Sequence, residues 1–450
     1  MRRLRRLVVV LRAGEAPDHV PCHLDHLIGA GRPVTSLVAG SLDRALRRGG
    51  GFRALGVYSS AASLGRAGEQ ALRWNDVEQE LGLSRTYQVE IADADSAERV
   101  VDALRSVPAV ESARVQTLAT TPAAAAAPAA VHRGSDAAWA PHLRIHAPEA
   151  HEREPGDERV TVGLVDTGIS IGHPEFQRKL LAGYDTVDLG VDEAVGLRLV
   201  GDSRGDDFTP SDDVGHGTHV GGIVGATGWE LPPGVAGLSL MLPVRVLAAA
   251  LVKDAKKPSG VGAETNIGAG VKIAVDLGAS VLNLSFGTSE RDVEPGTPKP
   301  QADVVAYAER YGCTLVAASG NSGSDERYYP AALPEVVAVG SVGDDGRRSS
   351  FSSYGDHVAL CAPGEHIVSC GISGVREGSG TSYAAPFVTG AAALLVAHAR
   401  RRGRTLAPAD VRALLVSTAT PLPGAPAAEV GAGLLNVAEA LRRLDAEPAP

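Results

Sequence analysis

From about residue 140 the chain alternates short, near-continuous apolar runs with longer segments of helical periodicity. The runs at 159–166, 242–247, 280–285, 314–320 and 335–342 lack the in-out alternation of a half-exposed strand and predict buried parallel strands. Residues 216–226, 264–277, 301–311, 382–399 and 408–417 predict helices. Strand and helix in turn predict an α/β three-layer fold, a mostly parallel sheet flanked by helices, with functional loops at the carboxyl ends of the strands.

The first part of the chain reads differently. Arg85 to Ile91 alternates like a strand, Ala97 to Arg105 is an amphipathic helix, and Val107 to Leu118 returns as a strand. Met1 to Arg12 has a basic start, but its apolar run of about five residues falls short of the roughly 7–15 of a secretory h-region, and it predicts a strand. Thr120 to Val131 is rich in Ala and Pro and predicts a linker, open to proteolysis. The expected division is a small α+β domain over 1–118 (residues 1–80 without an assigned role), a linker over 119–134, a main domain over 135–445 and a tail over 446–450.

Composition narrows the class. With 450 residues the chain can bury a large core, and 53 glycines with only 4% aromatics suit a tightly packed α/β fold with many turns. A formal charge of −10 speaks against nucleic acid as a partner. The longest apolar helical stretch, near 388–397, is too short and alanine-rich to span a bilayer. Without a secretory signal, the expected location is the cytoplasm, or outside by a route that needs none. Cys361 and Cys370 are spaced for a hairpin pair, but free thiols are expected of all four cysteines, Cys22 and Cys313 included.

Three strings carry chemistry. Gly-Thr-Ser-Tyr-Ala-Ala-Pro (380–386) puts the Ser382 hydroxyl where a loop becomes a helix, beside unpaired N–H groups and the positive end of the helix dipole. Pro386 deprives the Ser382 carbonyl of its i+4 donor. A lone serine there would usually be a cap. Arg159 to Asp166 is an apolar strand ending in a carboxylate, and Asp212-Asp-Val-Gly-His216-Gly opens a second helix with a histidine between glycines. Singly, Asp166 could end a strand and His216 could cap a helix. Together they supply an orienting carboxylate, a base and a nucleophile, in the order Asp, His, Ser.

With Val165-Asp-Thr-Gly-Ile169, Gly215-His-Gly-Thr-His-Val220, Ala317-Ala-Ser-Gly-Asn-Ser-Gly323 and Gly380 to Pro386 in order, the chain resembles the subtilisin-like serine proteases, the subtilases, over roughly residues 135–445. The resemblance implies a subtilisin-like fold and a serine endopeptidase working through an acyl-enzyme. Asp166, His216 and Ser382 would be its catalytic residues, and the Asn321 side chain would donate to the oxyanion. Tyr383 stands where the family most often has Met. The strand–helix–strand before residue 118 resembles the end of a subtilase propeptide, which implies a self-inhibited precursor cut within about 117–135 and an N-terminal domain acting as intramolecular inhibitor. Ser285, Phe286 and Gly287 match the strand that pairs with the backbone of a protein or peptide substrate, and Gly260 and Gly262 the opposite edge. Glu264 lies near the position that caps the fourth subsite, but a solvated glutamate at a helix start is expected here.

No cofactor is expected for the chemistry. In the thermitase-like branch a loop before the histidine binds calcium, which implies a structural Ca²⁺ on Asp185, Asp207 and Thr209, with Asp206 in reserve; a solvated acidic loop is the alternative. The family's other calcium loop, here 228–234, lacks the usual asparagines and is expected to be empty. Other classes fit less well. No second Asp-Thr-Gly or Asp-Ser-Gly accompanies residues 166–168 to make an aspartic protease, and no His-Glu-x-x-His is present, so His219 reads as a packed helix residue. Gly431 to Gly433 is too short a fragment to suggest nucleotide binding. The contrasting expectation is a catalytically silent binding module, its cleft permanently filled by the N-terminal domain.

Overall fold

The computed structural model describes residues 6–27, 29–64, 74–121, 136–189, 197–204, 208–252 and 255–446. Near the N terminus, β1 (Arg6–Leu11), β2 (Phe52–Gly56), β3 (Thr86–Ile91) and β4 (Val110–Val115) form an antiparallel sheet in the order β2-β3-β1-β4. Leu7, Val9 and Leu11 of β1 share a core with Val100 and Leu104 of the Ala97–Arg105 helix. β5 (Leu118–Thr120) follows. Residues 119 and 120, expected to begin the linker, are therefore strand; residues 122–134 lie outside the described residues.

The main sheet has seven strands, all paired in parallel: β6 (Thr161–Asp166), β7 (Tyr184–Asp185), β9 (Leu240–Arg245), β12 (Val281–Leu284), β14 (Thr314–Ala318), β16 (Val336–Val342) and β17 (Val358–Pro363), in the order β17-β16-β14-β12-β6-β9-β7. Five of them are the apolar runs of the sequence, shifted by about two residues at most. Their lack of alternation has a direct cause: alternate residues feed two cores. Val162, Leu164, Val316, Val337 and Val339 pack on one face with the His216–Gly225 and Thr381–Arg401 helices. Val165, Leu315, Ala317, Val336 and Ala338 pack on the other with the Glu264–Asp276 and Ala302–Arg310 helices.

The Thr381–Arg401 helix corrects one expectation. It runs 21 residues and by length and composition alone could cross a membrane. Inside this fold 94% of its apolar window is buried, so its hydropathy is that of a central core helix. A second sheet, β5-β11-β10-β8, is antiparallel and contains β8 (Leu197–Val200), β10 (Ala248–Val252) and β11 (Ser259–Ala263). Two small ribbons complete the strands, β13 (Thr288–Ser289) with β15 (Tyr328–Tyr329) and β18 (Ile367–Cys370) with β19 (Val375–Gly378). All four cysteines are free, and burial pushes the Cys361 thiol up to about 12.

The N-terminal sheet docks on the main domain through polar groups withdrawn from water. Lys272 is 1% exposed and donates to Glu78 of the N-terminal region at 2.6 Å and to Asp276 at 2.7 Å. Tyr58 Oη donates to Asp303 at 2.6 Å, and Thr265 bonds Gln116 at 2.7 Å. Glu264, expected to be solvated, is instead buried: it accepts from Arg114 and from Thr117.

Candidate active site

Asp166 ends β6, and its Oδ1 accepts the Thr167 N–H at 2.7 Å and Nδ1 of His216 at 2.7 Å. This fixes the imidazole with Nδ1 as donor and leaves Nε2 as a base. His216 opens its helix after Gly215, which takes a positive φ of 83°. Gly217 must be glycine, because a β-carbon there would sit 2.2 Å from the Gly168 carbonyl oxygen.

The turn before this helix is tied down by Asp212. That buried carboxylate accepts Thr167 Oγ1, the N–H groups of Val214, Gly215 and Thr218, and Thr218 Oγ1. It is a helix-start anion that couples the strand end carrying Asp166 to the helix carrying His216. In the sequence Asp212 heads the string that opens the His216 helix, four residues before the histidine, but the string alone assigns it no partner.

Ser382 lies in the first turn of the Thr381–Arg401 helix. Its carbonyl, orphaned by Pro386, is taken by Ser285 Oγ at 2.9 Å. Ser285 in turn accepts from Asn283 Nδ2 at 2.8 Å, and Thr389 Oγ1 donates to Asn283 Oδ1 at 2.9 Å, with Ala385 O as a second acceptor at 3.1 Å. The Ser285 side chain thus anchors the nucleophile's backbone, which leaves the expected pairing of its strand with a substrate backbone untouched. The chain Thr389–Asn283–Ser285 is wholly buried. Thr389→Val strands the Asn283 oxygen, and we expect it to cost about 1–3 kcal/mol of stability, read by urea unfolding in a Ser382→Ala background to prevent self-digestion.

Ser382 Oγ donates to the Ser285 carbonyl at 3.3 Å, and His216 Nε2 has no partner. The serine–histidine bond is the one link not made here; such bonds tighten when substrate is bound. Tyr383 is buried and stacks between the two histidines, its ring 5.5 Å from His216 and 4.3 Å from His219. His219 is packed, as expected, and burial lowers its pKa well below the ordinary imidazole value.

Asn321 follows β14. Its Oδ1 accepts Thr381 N–H at 3.0 Å and Thr381 Oγ1 at 2.7 Å. A backbone N–H can only donate, so the amide oxygen is fixed there and Nδ2 is left to point toward Gly380 and the cleft. A cavity of about 260 Å³ lies there, lined by Phe286, Ala318, Gly320, Asn321, Tyr328 and Ser382. We expect Asn321→Ala to lower kcat by about 10²–10³ with KM nearly unchanged, the signature of a donor used only in the transition state. Steady-state kinetics on a peptide substrate reads it.

β5 occupies the lane beside this cavity. Thr120 exchanges both backbone hydrogen bonds with Gly287, at 3.1 and 3.2 Å, and Thr121 N–H donates to Gly260 O at 2.9 Å. Ala119 lies opposite Gly262 in the ladder. Gly260 has no room for a side chain, since a β-carbon would meet Thr167 Cγ2 at 2.5 Å and Thr121 Cγ2 at 3.0 Å. An extended peptide is thereby held between two strand edges, the β-addition mode of recognition.

The described residues do not fit the expected calcium site. Asp185 is buried with both oxygens engaged, one by Val187 N–H at 2.8 Å and one by the Arg245 guanidinium, which also pairs with Asp202 at 3.2 Å and Asp213 at 3.5 Å. A hard cation would have to displace that guanidinium. Thr209 is exposed, and Asp206 and Asp207 lie outside the described residues. Among the described residues, no group of three His, Cys, Asp or Glu side chains could hold a metal ion. The 228–234 loop is organised by an anion. Glu175 accepts the N–H groups of Gly228, Trp229, Glu230 and Leu231, which outweigh burial and hold its carboxyl below the ordinary glutamate value.

A sequence model of the subtilase family matches residues 157–433. A thermophilic serine proteinase of Bacillus sp. (strain AK1) is 37% identical over 247 residues, 54% of this chain and 54% of that protein, so the chain spans about half the length of this relative. Thermitase of Thermoactinomyces vulgaris is 34% identical over 282 residues, 62% of this chain and 88% of the relative. Among solved structures, a protease from Pseudoalteromonas arctica superposes with a TM-score of 0.57 at 25% identity, covering 68% of this chain and 97% of that one.

Proposed function

Because this chain belongs to the subtilase family of serine proteases, we propose that it is an endopeptidase in which Asp166, His216 and Ser382 form the catalytic set and Asn321 the oxyanion donor. Ser382 Oγ attacks the scissile carbonyl while His216 Nε2 takes its proton and later delivers it to the leaving amine. Asp166, bonded to Nδ1, holds the tautomer and stabilises the imidazolium. The Asn321 amide and the N–H groups of the first helical turn receive the oxyanion. The observation that carries this reading is the 2.7 Å bond from His216 to Asp166, with Ser382 and Asn321 lining one cavity. None of the residues lining that cavity is charged, which favours an uncharged side chain just before the scissile bond.

The N-terminal region over 1–118 is read as an intramolecular inhibitor whose continuation, β5, lies in the substrate lane. Two facts support it: the Thr120–Gly287 pairing, and a docking surface in which Glu78 neutralises buried Lys272. Removing one partner of such a buried pair costs about 3–5 kcal/mol, so Glu78→Ala is expected to weaken the docking. The test is the intact mass of the full chain and of Ser382→Ala over time. Self-maturation predicts loss of about the first 117–135 residues from the wild type alone, the interval in which the linker begins. An N-terminal region that stays attached in an active wild type makes it an accessory domain instead.

A further inference from the structure

We infer that Arg376 forms an anion-binding subsite on the leaving-group side of the cleft, so that the enzyme selects peptides with Asp or Glu just after the scissile bond. This rests on the protease reading above. The polarity of β5 sets the direction. It runs from Leu118 toward the cavity at Ser382, with its backbone held by β11 and Gly287. A substrate in the same lane leaves its acyl part there, and its leaving-group part continues past Ser382 to the far side.

We assign that far side to the β18–β19 ribbon, whose second strand ends at Gly378, four residues before Ser382. Ser369 and Arg376 are cross-strand partners, and Ser369 Oγ donates to the His219 carbonyl, so this face of the ribbon is turned to the helix that carries His216. The ribbon tip is tied to the loop after Asp166, with Ser170 Oγ donating to Ile372 O at 2.8 Å and His173 Nε2 lying 2.9 Å from Gly374 O. Ile171 and Ile372 stay half exposed beside it. Arg376 reaches the active centre from this wall. Nη2 donates at 2.9 Å to the hydroxyl of Tyr383, the residue after Ser382 in the chain, and Nη1 would lie 3.0 Å from a β-carbon on Gly215, the residue before His216.

Its charge is unmatched. Arg376 has no carboxylate within ion-pair distance among the described residues, and its Nε is buried without a partner. The neighbouring Glu377 is committed to His366 at 2.6 Å. A guanidinium has five donors in a planar fork, and one hydrogen bond to a phenol leaves most of them for a carboxylate. A purely structural clamp on Tyr383 would instead slow all peptides alike.

The test uses the full chain after self-maturation and quenched peptides that differ only at the first or second residue after the scissile bond. The expected kcat/KM ratio of Glu to Lys peptide is about tenfold in the wild type, shrinking as salt is raised; it falls to about one in Arg376→Gln and inverts in Arg376→Glu. A wild type without this ratio, or a ratio that survives Arg376→Gln, overturns the subsite. So does uniform slowing of all peptides by Arg376→Gln, the clamp's signature. A serine-directed fluorophosphonate separates the two readings: a wild type that is labelled yet indifferent to charge loses only the subsite, and one that is neither labelled nor active loses both.

Discussion

Replacing Ser382 by alanine is expected to lower kcat for peptide hydrolysis by about 10⁶-fold, the scale found for the nucleophile of subtilisin, a member of this family. The size follows from what is removed. Without the hydroxyl no acyl-enzyme forms, and His216 has no proton to move. What survives is binding and the oxyanion donors, worth a residual of about 10³–10⁴ over water. The variant should keep its fold, because the Ser285 bond is to the Ser382 backbone carbonyl and stays in place. Steady-state kinetics with a matched unfolding midpoint checks both halves.

Asp166→Asn is expected to cost about 10⁴ in kcat. The amide is nearly isosteric, but Thr167 N–H and His216 Nδ1 both bond the same oxygen of Asp166, Oδ1. An NH₂ placed there gives up the Thr167 bond and favours the tautomer with the proton on Nε2, which cannot act as base; an oxygen placed there keeps both bonds but lacks the charge that stabilises the imidazolium. Asp166 is 1% and His216 3% exposed, so bulk solvent does not relieve the error. Because the residues act as a unit, the double variant with Ser382→Ala should be no slower than Ser382→Ala alone. An additive loss would mean that Asp166 works independently of the nucleophile.

Much of this was legible in the sequence for identifiable reasons. A parallel strand buried on both faces has to be apolar throughout, so β6, β14 and β16 were visible as runs. The catalytic set sits at strand ends and helix starts, where glycines mark close approaches such as Gly217 against Gly168. Less legible was what each polar side chain does across space. Glu264 reads as a solvated helix start until Arg114, 150 residues earlier, is placed against it. The acidic loop reads as a cation site because its counter-charge, Arg245, arrives from β9. The string Ser-Phe-Gly does not say which side chain turns inward; the structure turns Ser285 to the carbonyl that Pro386 left without a donor.

The account turns on one serine among many. The most direct measurement is to treat the wild-type protein with a fluorophosphonate, digest it and locate the adduct by mass spectrometry. A single adduct on the peptide containing Ser382 is the predicted result. Absence of any adduct on a folded, self-cleaved protein, or an adduct on a different serine, would contradict it.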